Sequence, residues 1–305
     1  MDYISITYRY NLKGQRYLSS ADEPRYTDKQ LVAFIAMGVV EIIMFCFLLV
    51  MALYNTYRFL YQQKRYRIYF ISMFYIFAYF VIIIRIAIAV MVVYIASDFD
   101  DYEEDDKLAS NTIYVFLTFE IIAAYAKVCM GYFQVAAIII LTFQVKQIFQ
   151  DSIDSISKWL YFGMTCWCIG LIIGAIIFTL YVLICPDQDD PQCFEATDIG
   201  IILNGANFVL LGLLLTLSMV PLILALNNLS KGTLQLTKGV KMLTAVFAVF
   251  TFCYVTRAIF DLTSDPTLNF PNLFYGLLLP LLWDWVPIFM MFVYHYKNAK
   301  LWRIN

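Results

Sequence analysis

The feature that most constrains this chain is the recurrence of long, uninterrupted apolar runs. Seven stretches qualify as membrane spans: Leu31–Leu53, Tyr69–Ile95, Thr112–Phe143, Trp159–Cys185, Ile199–Leu226, Val240–Leu262 and Leu273–His295. A helix crossing a hydrocarbon core about 30 Å thick needs about 20 mostly apolar residues. The runs are continuous and do not alternate, which selects helices over a β-barrel as the way to satisfy every backbone group in lipid. Across 305 residues, 62% are hydrophobic and only 14% charged, against roughly 25% charged in soluble domains. That leaves too little polar surface to cover a soluble ball. It also excludes a disordered chain, a collagen, a nucleic-acid-binding domain and a small disulfide-stapled scaffold. The expectation is an all-α membrane protein, a seven-transmembrane-helix bundle. Residues 1–30 form a polar N-terminal segment, 31–296 the membrane domain and 297–305 a short basic tail. Residues 1–30 hold no apolar core of the signal-peptide kind.

Charge sets the expected orientation. The connections after the first, third and fifth spans, with the tail, carry Arg58, Lys64, Arg65, Arg67, Lys146, Lys158, Lys231, Lys238, Lys241, Lys297, Lys300 and Arg303. The connections after the second, fourth and sixth spans carry Lys107 alone. Lys and Arg are retained on the cytoplasmic side, so the C-terminus is expected inside and the N-terminus outside. The five bases of residues 1–30 run against this assignment and are outvoted. Two outer loops are acidic, 98–107 with seven acids and 185–198 with five. Their field would attract cations or basic ligands, although a solvated outer face explains them as well. Neither has the alternating ligands and central Gly of an EF-hand, and no metal site or cofactor is expected.

Five of the seven cysteines, Cys46, Cys129, Cys166, Cys168 and Cys253, fall inside spans and read as small core packers. Cys185 and Cys193 flank the loop after the fourth span and are a candidate disulfide, worth roughly 2–3 kcal/mol in the chain-entropy model. The sequon Asn228-Leu229-Ser230 falls in a connection expected to be cytoplasmic, so it should carry no glycan.

Ionisable residues inside a membrane are expensive, so each one asks for a partner or a function. Three acids, Glu41, Glu120 and Asp284, face three bases, Arg85, Lys127 and Arg257. At about 1.5 Å per residue, Glu41, Arg85 and Asp284 all lie about 15 Å below the outer surface. The first, second and seventh helices are neighbours in a closed ring, so Arg85 is expected to be held by Glu41, Asp284 or both. Glu120, Lys127 and Gln134 recur every seven residues and form one polar stripe. Asn204 and Asn207 share a face of the fifth span, and Arg257 can reach Asp261 one turn on. These groups are either a ligand pocket between helices or polar glue for the bundle. Pro221, Pro280 and Pro287 mark places where helices can bend.

Catalytic signatures are missing. The single histidine, His295, reads as an interfacial residue beside Tyr294 and Tyr296, and one histidine cannot build a His-rich zinc site. No zincin, nucleophile-elbow or Walker motif is present. No lysine sits in the seventh span for a retinal Schiff base. Pro191-Gln192 sits in a loop and no three-helix repeat is evident, which disfavours small sugar-transporter architectures. The chain is not expected to be an enzyme. The inner halves of the spans hold few polar residues, mainly Gln134 and Gln144, which disfavours a transporter or channel.

Seven spans, an outer N-terminus and acidic outer loops resemble a G-protein-coupled-receptor-type bundle, without an Asp-Arg-Tyr sequence at the end of the third span, where Phe143-Gln144-Val145-Lys146 stands. The chain is more similar to the tobamovirus-multiplication-protein family of receptor-like membrane proteins. The likeness rests on Arg85, on Arg257 followed by Asp265-Pro266 and Leu268-Asn269, and on Asp284 three residues before Pro287 ahead of a basic tail. It departs from the family in carrying Asp at 284 and no proline in the tail. The resemblance implies a seven-helix protein of the plasma membrane or an endomembrane, with receptor-like signalling or scaffolding in place of catalysis; a mitochondrial membrane stays open. A small ligand or peptide would meet the charge layer and the outer loops. A cytoplasmic signalling protein would meet the basic inner loops, chiefly 227–239. The alternative is a non-catalytic accessory subunit of a larger membrane complex, its outer surfaces covered by neighbouring subunits or lipid.

Overall fold

A computed structural model describes residues 28–58, 69–97, 106–146, 153–184, 191–230, 234–263 and 279–298. Among these the chain is all helical. The elements are α1 (Asp28–Tyr57), α2 (Tyr69–Ser97), α3 (Asp106–Val145), α4 (Ile153–Ile184), α5 (Pro191–Ser230) and α6 (Leu234–Thr263), then a π-turn (Leu281–Trp285) running into α7 (Val286–Asn298). Each of the first six contains a stretch long and apolar enough to cross a membrane. Such a chain is built as a multi-pass membrane protein, because six helices of this composition cannot all hide their side chains from water.

The helices form a ring in the order α1, α2, α3, α5, α6, α7, closed where α7 packs against α1. The fourth helix stands outside, packed on α3 and grazing α5. Burial follows from this placement: 78% of the apolar stretch of α3 is buried, against 17% of that of α4. The core is aliphatic and aromatic, with Phe45, Ile82, Phe133, Phe208, Phe250 and Phe292 fully enclosed. Helices approach closely where a side chain is missing. A Cβ on Gly38 of α1 would stand 2.6 Å from Val93 Cγ2 and 3.0 Å from the Ala89 carbonyl oxygen of α2.

Several expectations change. Residues 191–198 were expected in a loop, but α5 begins at Pro191. Proline suits the first helical turn, where its missing N–H is not needed. The connection expected at 227–239 is largely helical, since α5 runs to Ser230 and α6 starts at Leu234. Cys46 and Cys166 are exposed on their helices and pack no core, whereas Cys129, Cys168 and Cys253 are buried. His295 does not stand on the outer surface of its helix: it is 3% exposed, enclosed by Phe74 and Tyr75. Cys185 lies outside the described residues, as does the side chain of Cys193, and with them the candidate disulfide.

Candidate functional site

The site is organised by an irregularity in the last helix. Pro287 has no N–H to bond the Trp283 carbonyl four residues back, so a regular α-helix cannot pass through it unstrained. The backbone widens into a π-turn instead, in which the Val286 N–H bonds the Leu281 carbonyl. Such a turn accommodates one extra residue. Neighbouring helices hold it on both sides. The Cys253 thiol donates to the Leu282 carbonyl at 3.2 Å, and the Trp283 indole N–H donates to Thr256 Oγ1 at 3.1 Å, both on α6. The Trp285 indole N–H donates to the Met44 carbonyl of α1 at 2.9 Å. Between these two tryptophans, Asp284 turns into the bundle and is 1% exposed.

Three cations from three helices meet that carboxylate. Arg85 of α2 donates from Nε to Oδ2 at 2.7 Å, with Nη2 2.6 Å from the same oxygen. Lys127 of α3 donates from Nζ to Oδ1 at 2.5 Å. Arg257 of α6 places Nη1 3.5 Å from Oδ1. All three cations are 2% exposed or less. Aromatic faces line their other sides: the Arg257 guanidinium lies 4.9 Å from the Phe208 ring centre and 5.6 Å from that of Trp283. Lys127 Nζ lies 5.5 Å from the Phe208 ring centre and 5.8 Å from that of Tyr254. Ring faces are negative and offset part of the cost of burying a cation.

Of the residues singled out in the sequence, the structure brings Arg85, Lys127, Arg257 and Asp284 together. Glu41 is buried on α1, and Asp284 is the carboxylate seen holding Arg85. The side chains of Glu120 and Asp261 lie outside the described residues. Asn204 is buried on α5. Asn207 belongs elsewhere: its Oδ1 accepts from the Tyr132 hydroxyl at 3.4 Å and its Nδ2 donates to the Leu203 carbonyl at 2.9 Å, a tie between α3 and α5. Gln134, seven residues after Lys127 along α3, is 4% exposed, and neither amide atom has a hydrogen-bond partner among the described residues. Among the described residues no group of His, Cys, Asp and Glu is placed to hold a metal.

A second polar cluster, unforeseen in the sequence, joins α1, α2 and α7. Asn55 Nδ2 donates to the Phe292 carbonyl at 3.2 Å, and the Tyr75 hydroxyl shares a hydrogen bond with His295 Nδ1 at 3.1 Å. Tyr75 also stacks on Phe292, ring centres 5.3 Å apart. Arg58 donates to the Tyr296 carbonyl at 2.9 Å and lies 4.9 Å from the Tyr296 ring centre. The usable signal was the tyrosine and histidine spacing at one end of two spans, which reads equally well as a belt of interfacial aromatics. No protein-family model, curated protein or solved structure matches this chain, so the meaning of both clusters rests on their own geometry.

Proposed function

We propose that this chain is a receptor-like integral membrane protein with seven crossing helices, its N-terminus outside and its C-terminus in the cytoplasm. It signals or scaffolds through its basic inner segments and catalyses nothing. The observation that carries the reading is the sharing of Asp284 by Arg85, Lys127 and Arg257. A simple ion pair would tie Asp284 to one other helix. Here one carboxylate, seated in a π-turn between Pro280 and Pro287, is tied to α2, α3 and α6 at once. A ligand that draws one cation away re-weights the contacts of four helices together, which is the kind of two-state element a membrane receptor requires. The orientation is supported by the bias of Lys and Arg to alternate connections. The plasma membrane or an endomembrane is the compartment that fits.

A second reading, accessory subunit of a larger membrane complex, is favoured by α4. A Cβ built on Gly163, Gly170 or Gly174 meets nothing within 4 Å, and small residues on a membrane helix let a second backbone approach closely. One experiment separates the two. The tagged protein is extracted from its source in a mild detergent, and its particle mass is measured with co-purifying proteins identified. One or two copies in a micelle are expected. A large particle of fixed stoichiometry overturns the receptor reading in favour of the subunit.

A further inference from the structure

Two buried thiols face each other across the contact between the ring and the helix outside it. Cys129 of α3 and Cys168 of α4 are 0% and 3% exposed. The Cys129 sulfur lies 3.8 Å from the Cys168 carbonyl oxygen, and the Cys168 sulfur lies 4.0 Å from the Cys129 carbonyl oxygen. Each side chain is therefore directed at the backbone of the other residue. That reciprocity places the two Cβ atoms on facing sides of the helices, as a disulfide requires. Neither thiol takes part in the Asp284 cluster. Cys166, two residues before Cys168, is exposed on the other side of α4 and does not compete for Cys129.

We propose that Cys129 and Cys168 are a redox-convertible pair whose oxidation staples α4 to the ring. The oxidant is a small membrane-permeant peroxide. One thiol attacks the peroxide oxygen–oxygen bond while its proton passes to the departing hydroxide, giving a sulfenic acid and one water. The second thiol displaces hydroxide from that sulfur, forming the S–S bond and releasing a second water. Two thiols lose two protons and two electrons, and one hydrogen peroxide becomes two waters. The reduced pair leaves α4 held at this point by packing and two weak thiol–carbonyl contacts; the oxidised pair removes its freedom to separate from α3. The structural consequence is large because α4 has so little other burial in the bundle.

The test uses the full-length protein in mild-detergent micelles. It is treated with hydrogen peroxide and, in a parallel sample, with iodine, which enters apolar surroundings readily. Each sample is then denatured, alkylated and digested without reduction. A peptide pair joined through Cys129 and Cys168 is expected, lost on adding dithiothreitol and absent from Cys129→Ala and Cys168→Ala. The unfolding midpoint of the linked protein should rise by roughly 5 °C. Full alkylation of both residues as free thiols, after iodine has modified the exposed Cys46 and Cys166, would overturn the pairing. A link from Cys129 to Cys166 would do the same. A linked protein with an unchanged midpoint would overturn the stapling.

Discussion

Lys127 and Asp284 stand 2.5 Å apart in the interior of the bundle, and the ammonium takes one carboxylate oxygen while Arg85 takes the other. The charges are shared unequally. Among the described residues, the single carboxylate of Asp284 is met by three cations.

Loss of the acid should therefore cost more than loss of any one base. Asp284→Asn leaves three buried cations facing a neutral amide, and about 3–5 kcal/mol of stability should go with it. Arg85→Gln and Lys127→Gln should each cost less, because two cations stay on Asp284. Thermal unfolding in detergent ranks the three variants, and an Asp284→Asn midpoint at or above that of Lys127→Gln would contradict the shared-carboxylate account. The receptor reading adds a functional outcome. A well-expressed Arg85→Gln, Asp284→Asn double variant should not respond to ligand.

The crossing of α1 and α2 tests steric tolerance alone. Gly38→Ala brings a methyl against Val93 and the Ala89 carbonyl, so it should destabilise by about 1–3 kcal/mol. Adding Val93→Ala should recover only part of this, since the backbone oxygen does not move aside. Complete recovery in the unfolding midpoint would place the clash on the valine alone.

At the other end of α7, Tyr75→Phe removes a single hydroxyl from the buried bond to His295 and should cost about 1 kcal/mol. Combining it with His295→Phe in a double-mutant cycle should return a coupling energy of the same size. Zero coupling would mean that aromatic packing, and not the hydrogen bond, holds the two together.

Gln134 gives a prediction of opposite sign. Its amide is buried with no hydrogen-bond partner among the described residues, so Gln134→Leu, close in volume and fully apolar, should raise stability by about 1 kcal/mol. A fall in the unfolding midpoint would show that the amide is bonded to a group such as an internal water.

Orientation has a simple chemical readout. Asn228 is exposed near the end of α5, and with its end of the bundle in the cytoplasm it should carry no glycan. A mobility shift on glycosidase treatment, lost in Asn228→Gln, would reverse the topology.

Much of the helical plan was legible because lipid imposes it. Runs of Leu, Ile, Val and Phe have one way to satisfy their backbone in a membrane. The Arg85–Asp284 pair was legible as well, since depth follows from residue count at about 1.5 Å per residue. What the count cannot supply is which helices touch. Lys127 was placed on a stripe with Glu120 and Gln134, and Arg257 was matched to Asp261 on its own helix. Both reach Asp284 because α3 and α6 flank the same interior, a fact of ring order that no single helix encodes. The burial of His295 is hidden from the sequence for a related reason: an aromatic neighbourhood at a span end is a belt if it faces lipid and a core if it faces helices. The start of α5 is marked by Pro191, a residue that suits a first helical turn as well as a loop.

The π-turn makes the last helix a matter of counting. Before it, residues must line up with α6; after it, Phe292 and His295 must meet Asn55 and Tyr75. One residue is about 100° of rotation in a helix. Deleting a single residue between 281 and 285 would only restore a regular helix in the same later register, whereas forcing all five residues into an α-helix would swing every later side chain by that angle. The two ends of α7 would then be unable to dock together. The helix is thus spelled in two registers, and the extra residue is what lets both be true in one chain.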